Sequence, residues 1–250
     1  MLYDAIGCCG LNAEDFAKEL KALKAKTINL RINSPGGDVF AARAMVAAIR
    51  DVRASGRSVI AHIDGLAASA ATYVAIAADE VRAEPGSFFM IHNAWGLAIG
   101  NADELRETAA LLDKVDDTIV ADYAKKTGKT DDQIRSWMAA ETWFTAEEAQ
   151  AEGFIDSVKV EDEEPEESEE EEIPEDAEEE EEETLEGDEP EEEDEEAQAR
   201  WREAIAAFKN APEAVRQMRP AARNRKAKKS AVEDIVARNE RRLKMLEMIG

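Results

Sequence analysis

The sequence predicts an α/β domain around a mainly parallel sheet, and three observations carry that expectation. Apolar residues alternate with period two in some runs and recur at three- and four-residue spacing in others, strand-like and helix-like stretches following one another through the first 160 residues. The crossovers between strand-like runs exceed a dozen residues, which suits parallel neighbours rather than hairpins. Clusters of Gly, Pro and Asp close the main strand-like runs.

The first strand is expected over Thr27 to Asn33, where Ile28, Leu30 and Ile32 alternate with polar residues until Ser34-Pro35-Gly36-Gly37 stops the run. Asp38 then precedes Val39, Ala42, Met45, Val46 and Ile49, one apolar helical face reaching about Val52. A second strand, Ser58 to Ile63, is expected to end at Asp64-Gly65. From Ala67 to Ala78 nearly every residue is small, which predicts a closely packed helix. Short strands follow near Glu80 to Ala83 and Phe88 to His92. Beyond Gly100, Leu105, Leu111, Leu112, Val115, Ile119, Val120 and Tyr123 define a long amphipathic helix, and shorter helices are expected near Asp131 to Ala139 and Ala146 to Glu152.

Charge divides the chain further. Residues 1–160 hold 24 acidic and 17 basic side chains, residues 161–199 hold 27 acidic and no basic ones, and residues 200–250 hold 6 acidic and 14 basic ones. The expected organisation is a globular domain at 1–159, a disordered acidic linker at 160–199 extended by self-repulsion, and a basic helical tail at 200–250. In that tail Trp201, Ile205 and Phe208 form one apolar face and Val232, Ile235, Val236, Leu243, Leu246 and Ile249 another, interrupted by Pro212 and Pro220. The tail could contact a coat protein as a scaffold does, or an acidic surface, or remain solvated. Only one aromatic residue lies near its basic run, so nucleic acid is not the expected partner.

Adjacent Cys8 and Cys9 rarely close a disulfide and read as reduced thiols. The chain shows no leader-like opening and no apolar run of roughly 20 residues, so a cytoplasmic protein without a membrane partner is expected. No metal site and no Gly-Lys-Ser/Thr phosphate loop is visible; no cofactor is expected, and any energy-driven unfolding would need a separate partner.

Candidate chemistry sits at three strand ends. Ser69, in Asp64-Gly65-Leu66-Ala67-Ala68-Ser69-Ala70-Ala71, falls at the first turn of the small-residue helix, where unpaired backbone N–H groups favour an oxyanion; a helix cap would use the same residue type. The glycines of Asn33-Ser34-Pro35-Gly36-Gly37 permit close backbone approach to a carbonyl, or simply a turn. His92 ends an apolar strand at Met90-Ile91-His92-Asn93, while His62, inside an alternating strand, reads as structural. A serine attacks a carbonyl at neutral pH only when a base takes its proton, and histidine suits that role.

The strings INSPGGD, DGLAASAAT, FFMIHNAWG and TWFTAEEAQAEGFID, in this order over nearly all of residues 1–158, resemble the Clp protease proteolytic subunit. The resemblance implies a crotonase-like fold of stacked βαβ units, a Ser-His-acid triad and a ring-like homo-oligomer. It implies Ser69 as nucleophile, His92 as general base, and Gly37 and Ala70 as oxyanion N–H donors. It places Glu141 at the triad acid, where the family carries aspartate; Asp116, Asp117 or no third member are the other possibilities. The opening Tyr3-Asp4-Ala5-Ile6-Gly7, INSPGGDVFAA and ETWFTAEEA are also similar to capsid-maturation proteases of tailed bacteriophages. That likeness implies capsid or scaffold proteins as substrates and a protease fused to a scaffold-like tail.

Overall fold

The computed structural model describes residues 1–7, 10–159 and 192–218. Cys8 and Cys9, most of the acidic linker and the second apolar face of the tail, from Val232 onward, lie outside the described residues.

Helix α1 (Ala13–Ala22), which the sequence reading missed, starts where the Asn12 side chain accepts from the Glu14 N–H, and it buries Phe16 and Leu20. Strand β1 (Thr27–Ser34) buries every second residue, as its alternation requires. Helix α2 (Val39–Ala54) begins at Asp38, whose carboxylate accepts from the Ala41 N–H at 2.7 Å, and it buries the face running from Ala42 to Val52.

Strand β2 (Ser58–Ala68) is the spine of the sheet. One edge pairs in parallel with β1, from Thr27 opposite Ser58 to Ile32 opposite Ile63. On the other edge Ile60 to Ile63 pair with β3 (Glu80–Ala83), and Leu66 to Ala68 pair with β4 (Phe88–Ile91), both parallel. β3 carries the short β6 (Ser157–Val158) in parallel, and β4 carries β5 (Thr142–Thr145) antiparallel.

The expected end of β2 at Asp64-Gly65 is therefore wrong. The strand passes through with a register shift, Ile32 facing Ile63 but Ser34 facing Ala67, and a glycine in a strand interior commonly marks such an irregularity. Ala67 and Ala68 belong to β2, so α3 spans only Ala70–Ala75 and Ser69 lies at the junction. Small side chains here let strand and helix approach β4 and α2, and Ala67, Ala68, Ala71 and Ala75 are fully buried.

Helix α4 (Ala102–Thr127) opens with a reciprocal cap between Asn101 and Glu104 and closes at Gly128, whose φ of 71° is left-handed. Helices α5 (Asp131–Ala139) and α6 (Ala146–Ala151) follow as expected. Phe89, Tyr123, Trp137 and Phe144 gather around Phe154, each pair in edge or tilted contact, and weld α4, α5, β4 and β5 into one core.

The tail departs most from expectation. Helix α7 (Glu192–Ala206) begins inside the run expected to be an extended linker, and α8 (Glu213–Arg216) follows Pro212. Trp201, Ile205, Phe208, Ala211 and Val215 are buried against Leu66, Ala68 and Met90. The apolar face read in the tail thus covers β2 and β4 of the first domain. No helix among the described residues is long and apolar enough to cross a membrane.

Candidate active site

Ser69 follows β2 with φ 54° and ψ −126°, backbone angles that cost a non-glycine residue about 1–3 kcal/mol. Its N–H donates to the Met90 carbonyl at 2.9 Å. Its own carbonyl accepts from the Thr72 N–H at 3.0 Å and from the Thr72 hydroxyl at 2.5 Å, and that hydroxyl also bonds the buried Tyr123. Strand pairing on one side and α3 on the other hold the strained turn. Although Ser69 precedes α3, its side chain caps nothing. The hydroxyl lies instead 2.7 Å from Nε2 of His92.

His92 follows the last residue of β4. Burial removes water from the ring and pulls its pKa below the ordinary value of 6.5, and the negative charge of Glu141 offsets that only in part. The imidazole is thus neutral near pH 7, and in the tautomer that carries its proton on Nδ1 the free Nε2 can accept from the serine hydroxyl. His62 lies apart, its Nε2 2.9 Å from the Asn29 side-chain oxygen and its strand neighbours Arg31 and Arg82 both cationic.

Gly36, just beyond the end of β1, presses against this turn. A Cβ on Gly36, whose φ is 88°, would stand 2.5 Å from the Ala68 oxygen and 2.9 Å from the Ala70 nitrogen. Gly37, at φ 143°, is packed on Ile6, whose carbonyl accepts from the Asp38 N–H. Ala70 is the first residue of α3, so its N–H is one of those a helix leaves without an internal partner.

Glu141 also takes a left-handed backbone, φ 51°. Its carboxylate is near enough to His92 to raise the imidazole pKa, but its close hydrogen bonds run elsewhere: from the N–H groups of Asn210 at 2.6 Å and Lys209 at 3.0 Å, with the Trp143 indole at 3.4 Å. Asp116 accepts from the Ala94 N–H at 2.7 Å, and burial pushes its pKa up. Asp117 is in an exposed ion pair with Arg135 at 2.8 Å. Of the three carboxylates considered, Glu141 is the one whose charge acts on His92.

The sequence did not mark Phe208 as part of this site. Its ring stands edge-on to His92 with centroids 5.5 Å apart, and edge-on to Trp143 at the same separation. The helical spacing from Trp201 was the available sign that Phe208 would be buried, and nothing in that spacing says against what.

Comparison with known proteins points the same way. A family model described as Clp protease matches residues 11–162. The ATP-dependent Clp protease proteolytic subunit of Bacteroides fragilis is 30% identical over 137 residues, covering 54% of this chain and 65% of that protein. Subunit 1 of the same protease from Leifsonia xyli is 29% identical over 154 residues, covering 59% of this chain and 77% of that protein. The chain thus spans a little under two thirds of the Bacteroides relative. Among solved structures, a ClpP1 mutant from Listeria monocytogenes superposes with a TM-score of 0.56 at 25% identity, over 63% of this chain and 88% of that one.

Proposed function

Because the chain belongs to the Clp protease family, we propose that it is a serine endopeptidase in which Ser69 is the nucleophile and His92 the general base. The observation that carries this reading is the 2.7 Å contact between Ser69 Oγ and a neutral His92 Nε2 at a strained strand-to-helix turn. Ser69 Oγ attacks the peptide carbonyl as Nε2 takes its proton. The oxyanion is held by the N–H groups of Gly37 and Ala70, and the imidazolium returns the proton to the leaving amine. Water, activated by His92 in turn, cleaves the acyl-enzyme. Glu141 supplies the charge that stabilises the imidazolium. Reaction of Ser69 with a fluorophosphonate, located by peptide mass spectrometry, tests the reading; modification of any other serine in its place overturns it.

The enzyme works as a homo-oligomer. Helix α4 buries only Val115, Ile119, Val120 and Tyr123, all in its second half, while Leu105 and Leu111 are about half exposed. Just before it, Trp95, Leu97 and Ile99 are 67%, 91% and 94% exposed. So many large apolar side chains in one stretch suit a surface covered by further copies of the chain.

Capsid or scaffold proteins are the substrates we propose, on the likeness of the INSPGGDVFAA and ETWFTAEEA strings to phage maturation proteases and on the acidic-then-basic sequence after residue 160. The names of the relatives favour a second reading, a general Clp-type peptidase served by a separate ATPase. Cut sites in a candidate coat protein expressed alongside the chain would decide for the first; an intact coat protein beside an active enzyme would decide for the second.

A further inference from the structure

We propose that the segment from Trp201 to Val215 is an intramolecular competitor of polypeptide substrate, so that the structure shows a closed form of the enzyme and hydrolysis requires the segment to leave. The inference rests on the reading of Ser69 and His92 as catalytic.

Four contacts make the segment an occupant of the site. Phe208 covers the edge of the His92 ring and is itself 5% exposed. The N–H groups of Lys209 and Asn210 take the carboxylate of Glu141, the group whose charge raises the His92 pKa. The Asn210 side chain donates to the Ala140 carbonyl at 3.0 Å. Trp201, Ile205 and Val215 cover Leu66, Ala68 and Met90, the strand residues on either side of the catalytic turn. A large apolar side chain followed by main-chain donors is what any polypeptide can offer. The surface is therefore of the kind a substrate would use, and the chain's own segment holds it at the high effective concentration of a tethered ligand.

Other features favour reversible docking. The segment packs on Leu66, Ala68 and Met90, a cluster distinct from the larger core that holds Met45, Ile49, Ile63, Ala67 and Val74, so that larger core is retained when the segment leaves. Among the described residues the buried indole N–H of Trp201 meets no hydrogen-bond acceptor, a cost that release to water removes. The ion pair of Arg200 with Asp4, at 3.2 Å, fastens the entry of the segment beside the strand-end glycines.

The test uses the full chain and two independent variants, Phe208→Ala and the double change Trp201→Ala with Ile205→Ala. Hydrogen exchange over 201–215 reports docking without reference to activity, while fluorophosphonate labelling and hydrolysis of a short unstructured peptide report access to Ser69. Protection in the wild type should fall in both variants, and labelling and hydrolysis should rise about tenfold or more, since loss of a large buried side chain moves a two-state equilibrium by at least that factor. Variants that lose protection but react at the wild-type rate would overturn the competition and leave the nucleophile in place. Variants that lose protection and neither label nor hydrolyse would overturn the peptidase reading and the inhibition with it. Wild-type amides over 201–215 that exchange at the unprotected rate would show that the segment is not docked, and the proposal would fall.

Discussion

Gly36 lies so close to Ser69 that a Cβ on the glycine would stand 2.8 Å from the serine Cβ. Two strand ends far apart in sequence are locked together here, and Ser69 takes its position from that contact as well as from the helix that follows it. Gly36→Ala must therefore push against the backbone of residues 68–70 and, at φ 88°, strain its own. We expect a loss of about 1–3 kcal/mol in stability and a fall of about 100-fold or more in labelling of Ser69, as small displacements of reacting groups have such costs. A variant that melts lower yet labels at the wild-type rate would show that Gly36 serves the fold alone.

Ser69→Ala should abolish hydrolysis, and His92→Ala should reduce it by a comparable factor, because the two act as a unit and their losses do not add. Ser69→Gly should be equally inactive but more stable than Ser69→Ala, by about 1 kcal/mol, since glycine adopts the positive φ without strain. Thermal melts of the two variants measure this difference directly, and equal melting temperatures would mean that the turn stores no strain.

Glu141→Gln has two effects of opposite sign. It removes the charge that raises the His92 pKa, which the proposed mechanism uses to stabilise the imidazolium, and also weakens the bonds from Lys209 and Asn210 that hold the tail. Introduced into the Phe208→Ala background, the change should leave only the first effect, a reduction in turnover smaller than that of Ser69→Ala. Unchanged turnover in that background would transfer the acid role to Asp116 or Asp117.

The pH dependence follows from His92. Its imidazole must be neutral to accept the serine proton, and burial holds its pKa below 6.5, so activity should persist on the acid side of that value and fall as pH drops through the lowered pKa. The same shift contributes stability that is present above pH 6.5 and lost as pH falls through the folded-state pKa. Phe208→Ala admits water to the ring and frees Glu141, and both changes raise the pKa. The acid limb of peptide hydrolysis should accordingly move to higher pH in that variant, and an unmoved limb would mean that Phe208 does not shield His92.

Self-association should depend on the exposed stretch before α4. Leu97→Asp with Ile99→Asp places charges at two positions that are almost fully exposed in the isolated chain, so the fold should be unaffected. Light scattering at micromolar concentration should show an oligomer for the wild type and smaller species for the variant. A wild-type chain that is monomeric under these conditions would count against a ring.

Much of this architecture is legible in local pattern. Alternation at Ile28, Leu30 and Ile32 marks β1, the Asp38 cap and the spacing after it mark α2, and β3 and α5 occupy the residues expected of them. The pairing of Ser69 with His92 was legible through motif resemblance, because strings at strand ends preserve the residues and not the path between them. The passage of β2 through Gly65 was not, since its continuation is supplied by pairing with Phe88 to Met90 and not by its own residues. The antiparallel β5 was hidden for the same reason, being four residues long and held by β4.

What the sequence by itself determined is which faces are apolar and which residue types stand at the strand ends. Tertiary structure alone decided that Trp201, Ile205 and Phe208 turn their apolar face onto β2 and β4, and that the N–H of Asn210 reaches Glu141 across 69 positions of chain. The physical reason is that periodicity reports that a face must leave water, whereas its partner is chosen by shape and hydrogen-bonding capacity, which exist only once distant segments meet.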